Sequence, residues 1–269
     1  MKTRLDKILV DQGYAASRER AQALIIAGRV LVDEQRVEKS GTAVSEDANI
    51  RLLGSDLKYV SRGGLKLEKA LEHWKIDLNG VHGVDIGAST GGFTDCMLQS
   101  GAASVLAVDT GYGQIAQKLR DDPRVSLRER TNARLLAAGE LLVLDAPVPS
   151  FIAMDVSFIS ATLVLPAVLG ALRDEESWRG HAVILVKPQF EAGRLNVGKG
   201  GIVRDPEARK MAIERVRACV EKQGGSSIDL IDSPIRGMEG NHEYLLYARF
   251  GSAEIATDSF PSRSAEPVH

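Results

Sequence analysis

The first ~55 residues combine two helical periods with short strand-like runs. Apolar residues recur at helical spacing over residues 4–12. A second helix is predicted to begin after Ser17, whose hydroxyl suits an N-cap, and to end at Gly28, which readily adopts the left-handed conformation of a helix terminus. A tight hairpin is predicted over residues 29–37, and a further strand over residues 49–53. The pattern therefore predicts a small α+β unit.

From about residue 80 the hydrophobic period changes, and strand-like apolar runs alternate with helical stretches. The predicted strands are residues 81–86, 105–109, 125–130, 151–155 and 182–186. The predicted helices are residues 93–100, 115–119, 162–172 and 206–223. Two later strands, near residues 228–231 and 244–250, are expected to form an antiparallel edge. The alternation predicts an α/β domain with a mostly parallel sheet, helices on both faces and a ligand crevice at the carboxyl ends of the strands.

Composition narrows the class of protein without identifying it. The chain has 269 residues, of which 44% are hydrophobic, and this fraction is ample for a packed core. A formal net charge of −2 excludes a strongly basic, histone-like binder and a strongly acidic disordered chain. The two cysteines cannot form a disulfide framework, and no C-x-x-C or His-x-x-x-His pair indicates a metal, so no metal site is expected.

The distribution of charge and apolar residues adds expectations about location and partners. The charged N-terminus has no apolar signal region, and the longest apolar run, residues 161–172, is far shorter than the roughly 20 residues of a bilayer span. We therefore expect a cytoplasmic protein with no membrane partner. Residues 1–70 carry a net charge of +3, which places any affinity for a polyanion near the N-terminus. Residues 252–269 contain few apolar groups and are expected to form a disordered tail.

A glycine-rich loop follows the first strand of the predicted sheet. The chain turns through Gly87-Ala88-Ser89-Thr90-Gly91-Gly92 and leaves as a helix. Glycine lets a ligand approach the backbone closely, and the start of a helix offers N–H groups without helical partners. Asp109 ends the next strand about twenty residues on, where an acid is placed to bind both hydroxyls of a ribose. The loop therefore indicates a nucleotide-like ligand.

Three interpretations of this loop compete. The spacing is not G-x-G-x-x-G, so the dinucleotide fingerprint fails. Residues 87–91 match the G-x-S-x-G nucleophile elbow of a hydrolase, with Asp155 and His242 following in the hydrolase order, but such an elbow follows a central strand. An S-adenosylmethionine loop fits best: Asp85 would lie near the methionine end, the loop glycines against the cofactor, and Asp109 on the ribose.

The N-terminal unit resembles a known RNA-binding fold. The strings Arg4-Leu5-Asp6-Lys7-Ile8-Leu9, Ser17-Arg18-Glu19-Arg20-Ala21 and Gly28-Arg29-Val30-Leu31-Val32 are similar to the fold named after ribosomal protein S-four. The resemblance implies that the second helix and the hairpin present basic residues to structured RNA, because arginine donates two parallel hydrogen bonds to phosphate. The candidate RNA contacts are Arg4, Lys7, Ser17, Arg18, Arg20, Arg29 and Arg62.

Residues ~58–250 resemble the TlyA (hemolysin A) family, whose domain is similar to FtsJ-type ribose methyltransferases. The matching strings are Ser61–Leu67, Asp85–Asp95, Val108–Gln114, Met154–Ser160, Val186–Glu191 and Gly240–Glu243. The resemblance implies a Rossmann-like class I methyltransferase fold with a mostly parallel seven-stranded sheet. The predicted domains are an RNA-binding domain (1–57), a linker (58–63), a methyltransferase domain (64–251) and the tail (252–269).

The same resemblance implies the site residues and the cofactor. The catalytic residues would be Lys66, Asp155, Lys187 and Glu243. Asp155 and Lys187 each end an apolar strand, so their side chains should project at the edge of the sheet where the cofactor lies. S-adenosylmethionine is the implied cofactor, and its candidate contacts are Asp85, Gly87, Ser89, Gly91, Gly92, Phe93, Asp109, Asn132 and Asp155. Phe93 is also expected to pack under the loop.

The implied reaction is methylation of a ribose 2′-hydroxyl, with cytidine in ribosomal RNA, 23S in particular, as the substrate. Lys187 would act as the base or steer the alkoxide, Asp155 would orient it, and Lys66 and Glu243 would fix the ribose. The implied reaction needs no metal, and ribosomal RNA or a ribosomal subunit is the expected partner. Two further alternatives are a non-catalytic RNA-binding assembly factor and a pore-forming hemolysin, which no membrane-length segment supports.

Overall fold

The computed structural model describes residues 2–15, 17–53, 58–142, 147–173, 178–237 and 240–251. The predicted tail, residues 252–269, lies outside the described residues. The chain forms two units, each with its own hydrophobic core. The domain boundaries given above stay a prediction.

The N-terminal unit contains two helices and five short strands. Its elements are β1 (Lys2–Arg4), α1 (Leu5–Asp11), α2 (Arg18–Ile26), β2 (Val30–Val32), β3 (Gln35–Arg36), β4 (Ala43–Ser45) and β5 (Ile50–Leu52). The hydroxyl of Ser17 accepts a hydrogen bond from the N–H of Arg20, so the predicted N-cap is present. The antiparallel β2–β3 hairpin turns at Asp33 and Glu34, both of which have positive φ. The pairing of β1 with β4 was not predicted.

The C-terminal unit is a seven-stranded sheet covered by helices. Its helices are α3 (Gly63–Trp74), α4 (Gly92–Gln99), α5 (Gln117–Arg120), α6 (Ala161–Ala171), α7 (Pro188–Glu191) and α8 (Pro206–Lys222). Its strands are β6 (His82–Ile86), β7 (Ser104–Val108), β8 (Val125–Arg128), β9 (Phe151–Met154), β10 (Gly180–Val186), β11 (Gly225–Asp232) and β12 (Tyr244–Phe250). The predicted mostly parallel sheet with an antiparallel edge is confirmed.

The strand order places a crevice at the centre of this sheet. The order is β11-β12-β10-β9-β6-β7-β8, so the chain runs outward from β6 to β8 and then returns to place β9 on the other side of β6. The β6–β7, β7–β8, β6–β9 and β9–β10 pairs are parallel. In such a sheet, ligands bind outside the carboxyl ends of the strands where the winding direction reverses. That point lies between β6 and β9.

Helix α3 is the main element that the sequence analysis did not predict. It begins with Gly63 and Gly64, which are poor helix formers. Gly64 is required here because a Cβ atom at this position would collide with the ring of Tyr59. The buried face of α3 includes Leu67, Leu71 and Trp74, which pack against the sheet.

The predicted linker, residues 58–63, packs on the C-terminal unit. Tyr59 is buried in its core, and the N–H of Val60 donates to the carboxylate of Asp95. Arg62 connects the two units: its Nη1 donates to the carbonyl of Gln12 at 2.9 Å, and its guanidinium lies 4.4 Å from the centre of the Tyr14 ring. The segment therefore joins the N-terminal unit directly to the start of α3.

Candidate active site

Four charged side chains converge at the carboxyl edge of the sheet. Lys66 lies in the first turns of α3, Asp155 follows β9, Lys187 follows β10, and Glu243 precedes β12. Lys66, Lys187 and Glu243 are each less than 10% exposed, which is rare for charged residues unless they are paired. Because β12 runs antiparallel to β10, its first residue lies at the same edge as the last residue of β10. The fold thus brings together four residues that are far apart in the sequence.

The four groups form two close ion pairs joined through Asp155. Lys66 Nζ donates to Glu243 Oε2 at 2.6 Å. Lys187 Nζ lies 2.6 Å from Asp155 Oδ1, and Lys66 Nζ lies 3.8 Å from Asp155 Oδ2. Two ammonium groups thus balance two carboxylates, and this pairing offsets the cost of removing the four charges from water.

The protonation state of Asp155 follows from its neighbours. Burial alone would raise its pKa, but the positive charges of Lys66 and Lys187, together with the hydrogen bond from Lys187, outweigh burial and hold the pKa below its usual value. Asp155 is therefore a carboxylate at neutral pH. It can fix the amino group of Lys187 but cannot supply a proton itself.

Ser157 belongs to the same cluster, and the sequence analysis did not select it. Lys187 Nζ donates a hydrogen bond to Ser157 Oγ at 2.6 Å. Ser157 lies in the loop between β9 and α6, and its side chain is exposed. Its position two residues after Asp155 was the available signal, because both residues lie at the carboxyl edge of the sheet.

The glycine loop closes the crevice beside these groups. Gly87 has a φ of +85°, and a Cβ atom there would lie 2.5 Å from the carbonyl oxygen of Asp155. Only glycine therefore lets the loop pass this close to the end of β9. Gly91, with a φ of +94°, is the N-cap of α4, and Gly92 begins that helix. The start of a helix leaves N–H groups without helical partners, and such groups are common in anion and nucleotide sites.

Asp109 lies opposite the glycine loop, at the end of β7. Its Oδ2 accepts the N–H of Ser89 at 2.8 Å, and its Oδ1 accepts the N–H of Gly111 at 2.6 Å. Ser89 has a φ of +49°, so the loop is held in a rarely populated conformation by this acid. Asp109 is partly exposed, which leaves room for the ribose hydroxyls that the sequence analysis assigned to it.

Asp85 lies beneath the loop and is fully buried. Its Oδ2 accepts hydrogen bonds from the N–H and the hydroxyl of Thr94, at 2.8 and 2.6 Å. Among the described residues its Oδ1 has no hydrogen-bond partner. Burial raises the pKa of Asp85 to about 7, opposed by the Thr94 hydrogen bonds and supported by the negative charges of Asp155 and Asp109.

The remaining predicted cofactor contacts differ in how accessible they are. The side chain of Phe93 is buried in the core, as the packing interpretation expected. Asn132 is exposed beyond the end of β8, and its Oδ1 accepts the N–H of Arg134 at 3.1 Å. Tyr112, which was not predicted, is exposed after β7 with the guanidinium of Arg130 4.1 Å from its ring centre. Contacts of all these residues with a cofactor stay predictions.

The residues present fit S-adenosylmethionine on their own chemistry. The loop supplies close backbone approach, Asp109 supplies a ribose acceptor, and the unpartnered oxygen of Asp85 supplies a buried acceptor near the methionine end. Asp155, which is a carboxylate at neutral pH, adds negative charge beside the loop, where it would favour a sulfonium group.

The hydrolase alternative does not survive this geometry. A nucleophile elbow requires Asp155 to orient a histidine that in turn contacts Ser89. Instead Asp155 is paired with two lysines, and within the described part of the chain no hydrogen bond joins His242 to either residue. The described residues also contain no group of three His, Cys, Asp or Glu side chains arranged to hold a metal.

An aromatic pair borders the cluster on its exposed side. Phe158 follows Ser157 directly, is 92% exposed and has a φ of +65°, which is unusual for a bulky residue. Its ring lies 5.5 Å from that of Phe190, on the segment after Lys187. The two rings are tilted by 51° to each other, and they make the rim of the site apolar, although its floor is charged.

The predicted RNA contacts lie in different environments. Ser17 caps α2, and Arg62 connects the two units. Arg4 is bonded to the buried carboxylate of Asp6 by two hydrogen bonds, and Arg18 lies 3.3 Å from the same carboxylate. Five of the predicted contacts are exposed: Arg4, Lys7, Arg18, Arg20 and Arg29. Asp6 thus fixes part of a basic surface, and the RNA contacts themselves stay predictions.

Within the described residues, no helix combines the length and the apolar character needed to cross a bilayer.

Comparisons with known proteins give a consistent family. The model of the FtsJ-like methyltransferase family matches residues 59–250, and the S4 domain model matches residues 3–50. The protein YqxC of Bacillus subtilis is 46% identical over 246 residues, which cover 91% of this chain and 85% of that protein. The 16S/23S rRNA (cytidine-2′-O)-methyltransferase TlyA of Mycobacterium tuberculosis is 43% identical over 250 residues, covering 92% of this chain and 90% of that protein.

A solved structure agrees with these relatives. A protein from Streptococcus thermophilus superposes with a TM-score of 0.70 at 42% sequence identity, and the match covers 94% of this chain and 90% of that one.

Proposed function

The chain belongs to the FtsJ-like methyltransferase family, and on that premise we propose that it methylates the 2′-hydroxyl of a cytidine in ribosomal RNA, with S-adenosylmethionine as the donor. Both resemblances predicted from the sequence, to this family and to the S4 domain, are confirmed. The observation that carries the proposal is the buried cluster of Lys66, Asp155, Lys187 and Glu243 beside the glycine loop.

The cofactor supplies a methyl group on a positively charged sulfur. Asp85, Asp109 and the loop from Gly87 to Gly92 are the residues that would hold it, beside Lys187 and Asp155. Holding the methyl carbon and the ribose oxygen in line provides a large part of the rate, because a bimolecular reaction then proceeds within one complex.

A ribose hydroxyl is a weak nucleophile, so a base must accept its proton as the new bond forms. Lys187 is the residue for this step: it is buried and fixed by Asp155 at 2.6 Å. Lys66 and Glu243, which pair at 2.6 Å, provide a donor and an acceptor for the neighbouring sugar oxygens. The exposed ring of Phe158, next to that of Phe190, offers an apolar face on which a nucleobase can stack.

The N-terminal unit provides the affinity for RNA. Its exposed arginines and lysine attract the phosphate backbone, and its connection through Arg62 to α3 places that surface in a fixed relation to Lys66. The same assignment places the protein in the cytoplasm with ribosomal RNA or a ribosomal subunit as its partner, and 23S RNA is the expected target.

Labelled methyl transfer to purified ribosomal subunits tests this proposal. Small and large subunits from a strain that lacks the gene are incubated with the protein and methyl-labelled S-adenosylmethionine. We expect label in the RNA of the large subunit with the wild-type protein and a loss of at least about 100-fold with Lys187→Ala. Equal transfer by Lys187→Ala contradicts the proposed role, and label in the small subunit alone contradicts the 23S assignment.

A further inference from the structure

The amino group of Lys187 has two acceptors, and one of them is not a member of the four charged residues. Its Nζ lies 2.6 Å from Asp155 Oδ1 and 2.6 Å from Ser157 Oγ. Glu243 is bonded to Lys66 instead, at 2.6 Å. Asp155 and Ser157 are therefore the two groups that fix the direction of the Lys187 nitrogen.

The environment of Ser157 suits a positioning role. Its side chain is exposed, so burial of a polar group does not explain its hydrogen bond to a buried lysine. Within the described residues, Lys187 is the hydrogen-bond partner of its hydroxyl. Because the lysine N–H donates to this oxygen, the proton of the hydroxyl points away from Lys187.

The backbone holds Ser157 in place from both sides. Phe158, the next residue, has a φ of +65°, a conformation that persists only when the surroundings enforce it. The far end of the same loop is fixed by the buried Glu191, which accepts the hydroxyl of Ser160 at 2.5 Å and the N–H of Ala161 at 2.7 Å. The loop that carries Asp155 and Ser157 is thus tied to the segment that carries Lys187.

We propose that Ser157 is a positioning residue for methyl transfer. It holds the Lys187 nitrogen so that the lone pair of the neutral amine points at the ribose 2′-oxygen. The inference rests on the proposed function. Lys187 Nζ donates to Ser157 Oγ and lies 2.6 Å from Asp155 Oδ1. A neutral amine that uses its two N–H groups for these two oxygens has one lone pair left, and this lone pair would accept the substrate proton.

The step balances as follows. Lys187, an ammonium in its pair with Asp155, first releases one proton to water. The proton of the 2′-hydroxyl then passes to the neutral Lys187 Nζ while the 2′-oxygen bonds to the methyl carbon and the bond from that carbon to sulfur breaks. The sulfonium becomes a neutral thioether, the amine becomes an ammonium, and water later removes the proton. Without Ser157 the amino group keeps Asp155 but gains rotational freedom about its side-chain bonds.

Three variants of the full chain test the proposal by steady-state kinetics. Ser157→Ala should lower kcat by between about tenfold and a hundredfold, with KM for S-adenosylmethionine within about twofold of wild type, because only the alignment of the base changes. Ser157→Thr keeps the hydroxyl and should retain kcat within about threefold. Ser126→Ala, at an exposed serine on β8, is the matched control and should leave kcat unchanged. A kcat of Ser157→Ala within twofold of wild type, or equal loss in the Thr variant, overturns the proposal.

Crystal structures of wild type, Ser157→Ala and Ser157→Thr provide a readout that does not depend on the substrate. The proposal predicts one position of Lys187 Nζ in the wild type and the Thr variant, and several positions in the Ala variant. An unmoved Lys187 in Ser157→Ala overturns it. Absence of methyl transfer by the wild type would refute the proposed function instead, while the position of Lys187 would still decide the role of Ser157.

Discussion

At the scale of single residues, strand-end placement predicted where two of the candidate site residues lie. Asp155 and Lys187 were expected at the carboxyl edge of the sheet because each ends an apolar run, and both lie there. Glu243 and Lys66 followed from the family resemblance alone, since neither ends a strand. Their pairing joins the first turns of α3 to the start of β12, a contact across 177 positions of sequence that no local pattern reveals.

The loop residues show a different limit of prediction from sequence. Asp85 was assigned to the methionine end of the cofactor, but most of its hydrogen bonding is to Thr94 within the protein. Ser157 was part of a recognised string yet received no role, because a serine in a loop carries no signal until its partner is known. Hydrogen-bond partners depend on the three-dimensional placement of side chains, which periodicity does not specify.

The buried carboxyl of Asp85 makes stability depend on pH. Its pKa rises to about 7 in the folded protein, so the folded state binds a proton that the unfolded chain releases near pH 4. Its contribution to stability is therefore complete below about pH 4 and is lost as the pH rises through about 7. Asp85→Asn cannot ionise. Its free energy of unfolding relative to wild type should therefore rise by a few kcal/mol from pH 5 to pH 8, because one pKa unit is worth about 1.4 kcal/mol.

Urea unfolding of both proteins at pH 5 and pH 8, without cofactor, measures this difference. An Asp85→Asn variant whose stability relative to wild type is the same at both pH values would show that Asp85 ionises normally in the folded state.

At the scale of elements, alternation of strands and helices was sufficient for the sheet but not for α3. All seven strands of the sheet fall where apolar runs were identified or within a few residues of them. Helix α3 was missed because Gly63 and Gly64 lower the helical propensity of its first turn. The contact with Tyr59 requires a glycine at position 64, so packing overrides the local helical preference.

The close approach of the glycine loop to β9 gives a prediction at this scale. Gly87→Ala combines a strained positive φ with a clash against the carbonyl oxygen of Asp155, 2.5 Å from the new Cβ. The loop and the end of β9 must then move apart. We expect at least about tenfold weaker binding of S-adenosylmethionine, measured by calorimetry, because site residues displaced by about 1 Å lose much of their effect.

Gly80→Ala is the matched control for that experiment. Gly80 also has a positive φ, +72°, but a Cβ atom there would meet nothing within 4 Å. Gly80→Ala should lower the free energy of unfolding by about 1 kcal/mol and leave cofactor binding unchanged. Equal losses of binding in the two variants would show that backbone strain, rather than contact between the loop and β9, sets the affinity.

At the scale of the whole molecule, two units are joined by a short segment that the sequence analysis treated as a linker. The segment instead packs on the C-terminal unit through Tyr59 and contacts the N-terminal unit through Arg62. The family resemblance placed the boundary at residues 58–63, but it could not predict the arrangement of the units. That arrangement depends on contacts such as the one between Gly13 and Ile235, which are distant in sequence.

The exposed basic residues of the N-terminal unit should govern affinity for RNA without affecting the cofactor. Reversing charge at Lys7 and Arg29 together should weaken binding to ribosomal RNA about tenfold or more and reduce its salt dependence, because fewer counterions are released. Affinity for S-adenosylmethionine should stay unchanged. Filter binding across a salt series measures both effects on RNA.

Lys222→Glu is the control for charge reversal. Lys222 ends α8 just before β11, whose first residue pairs with the last residue of β12, so it lies at the edge of the sheet opposite the site. If Lys222→Glu weakens RNA binding as much as the N-terminal reversals do, net charge rather than the N-terminal surface controls the affinity.

The central claim is that the cluster of Lys66, Asp155, Lys187 and Glu243 catalyses transfer of a methyl group from S-adenosylmethionine to a sugar oxygen. Digestion of the labelled RNA to nucleosides, followed by mass spectrometry, identifies the methylated atom directly. We predict that the label appears as 2′-O-methylcytidine with the wild-type protein and is absent with Lys187→Ala. A methyl group on the base of the nucleoside, or 2′-O-methylcytidine formed equally by the Lys187→Ala variant, would contradict the account.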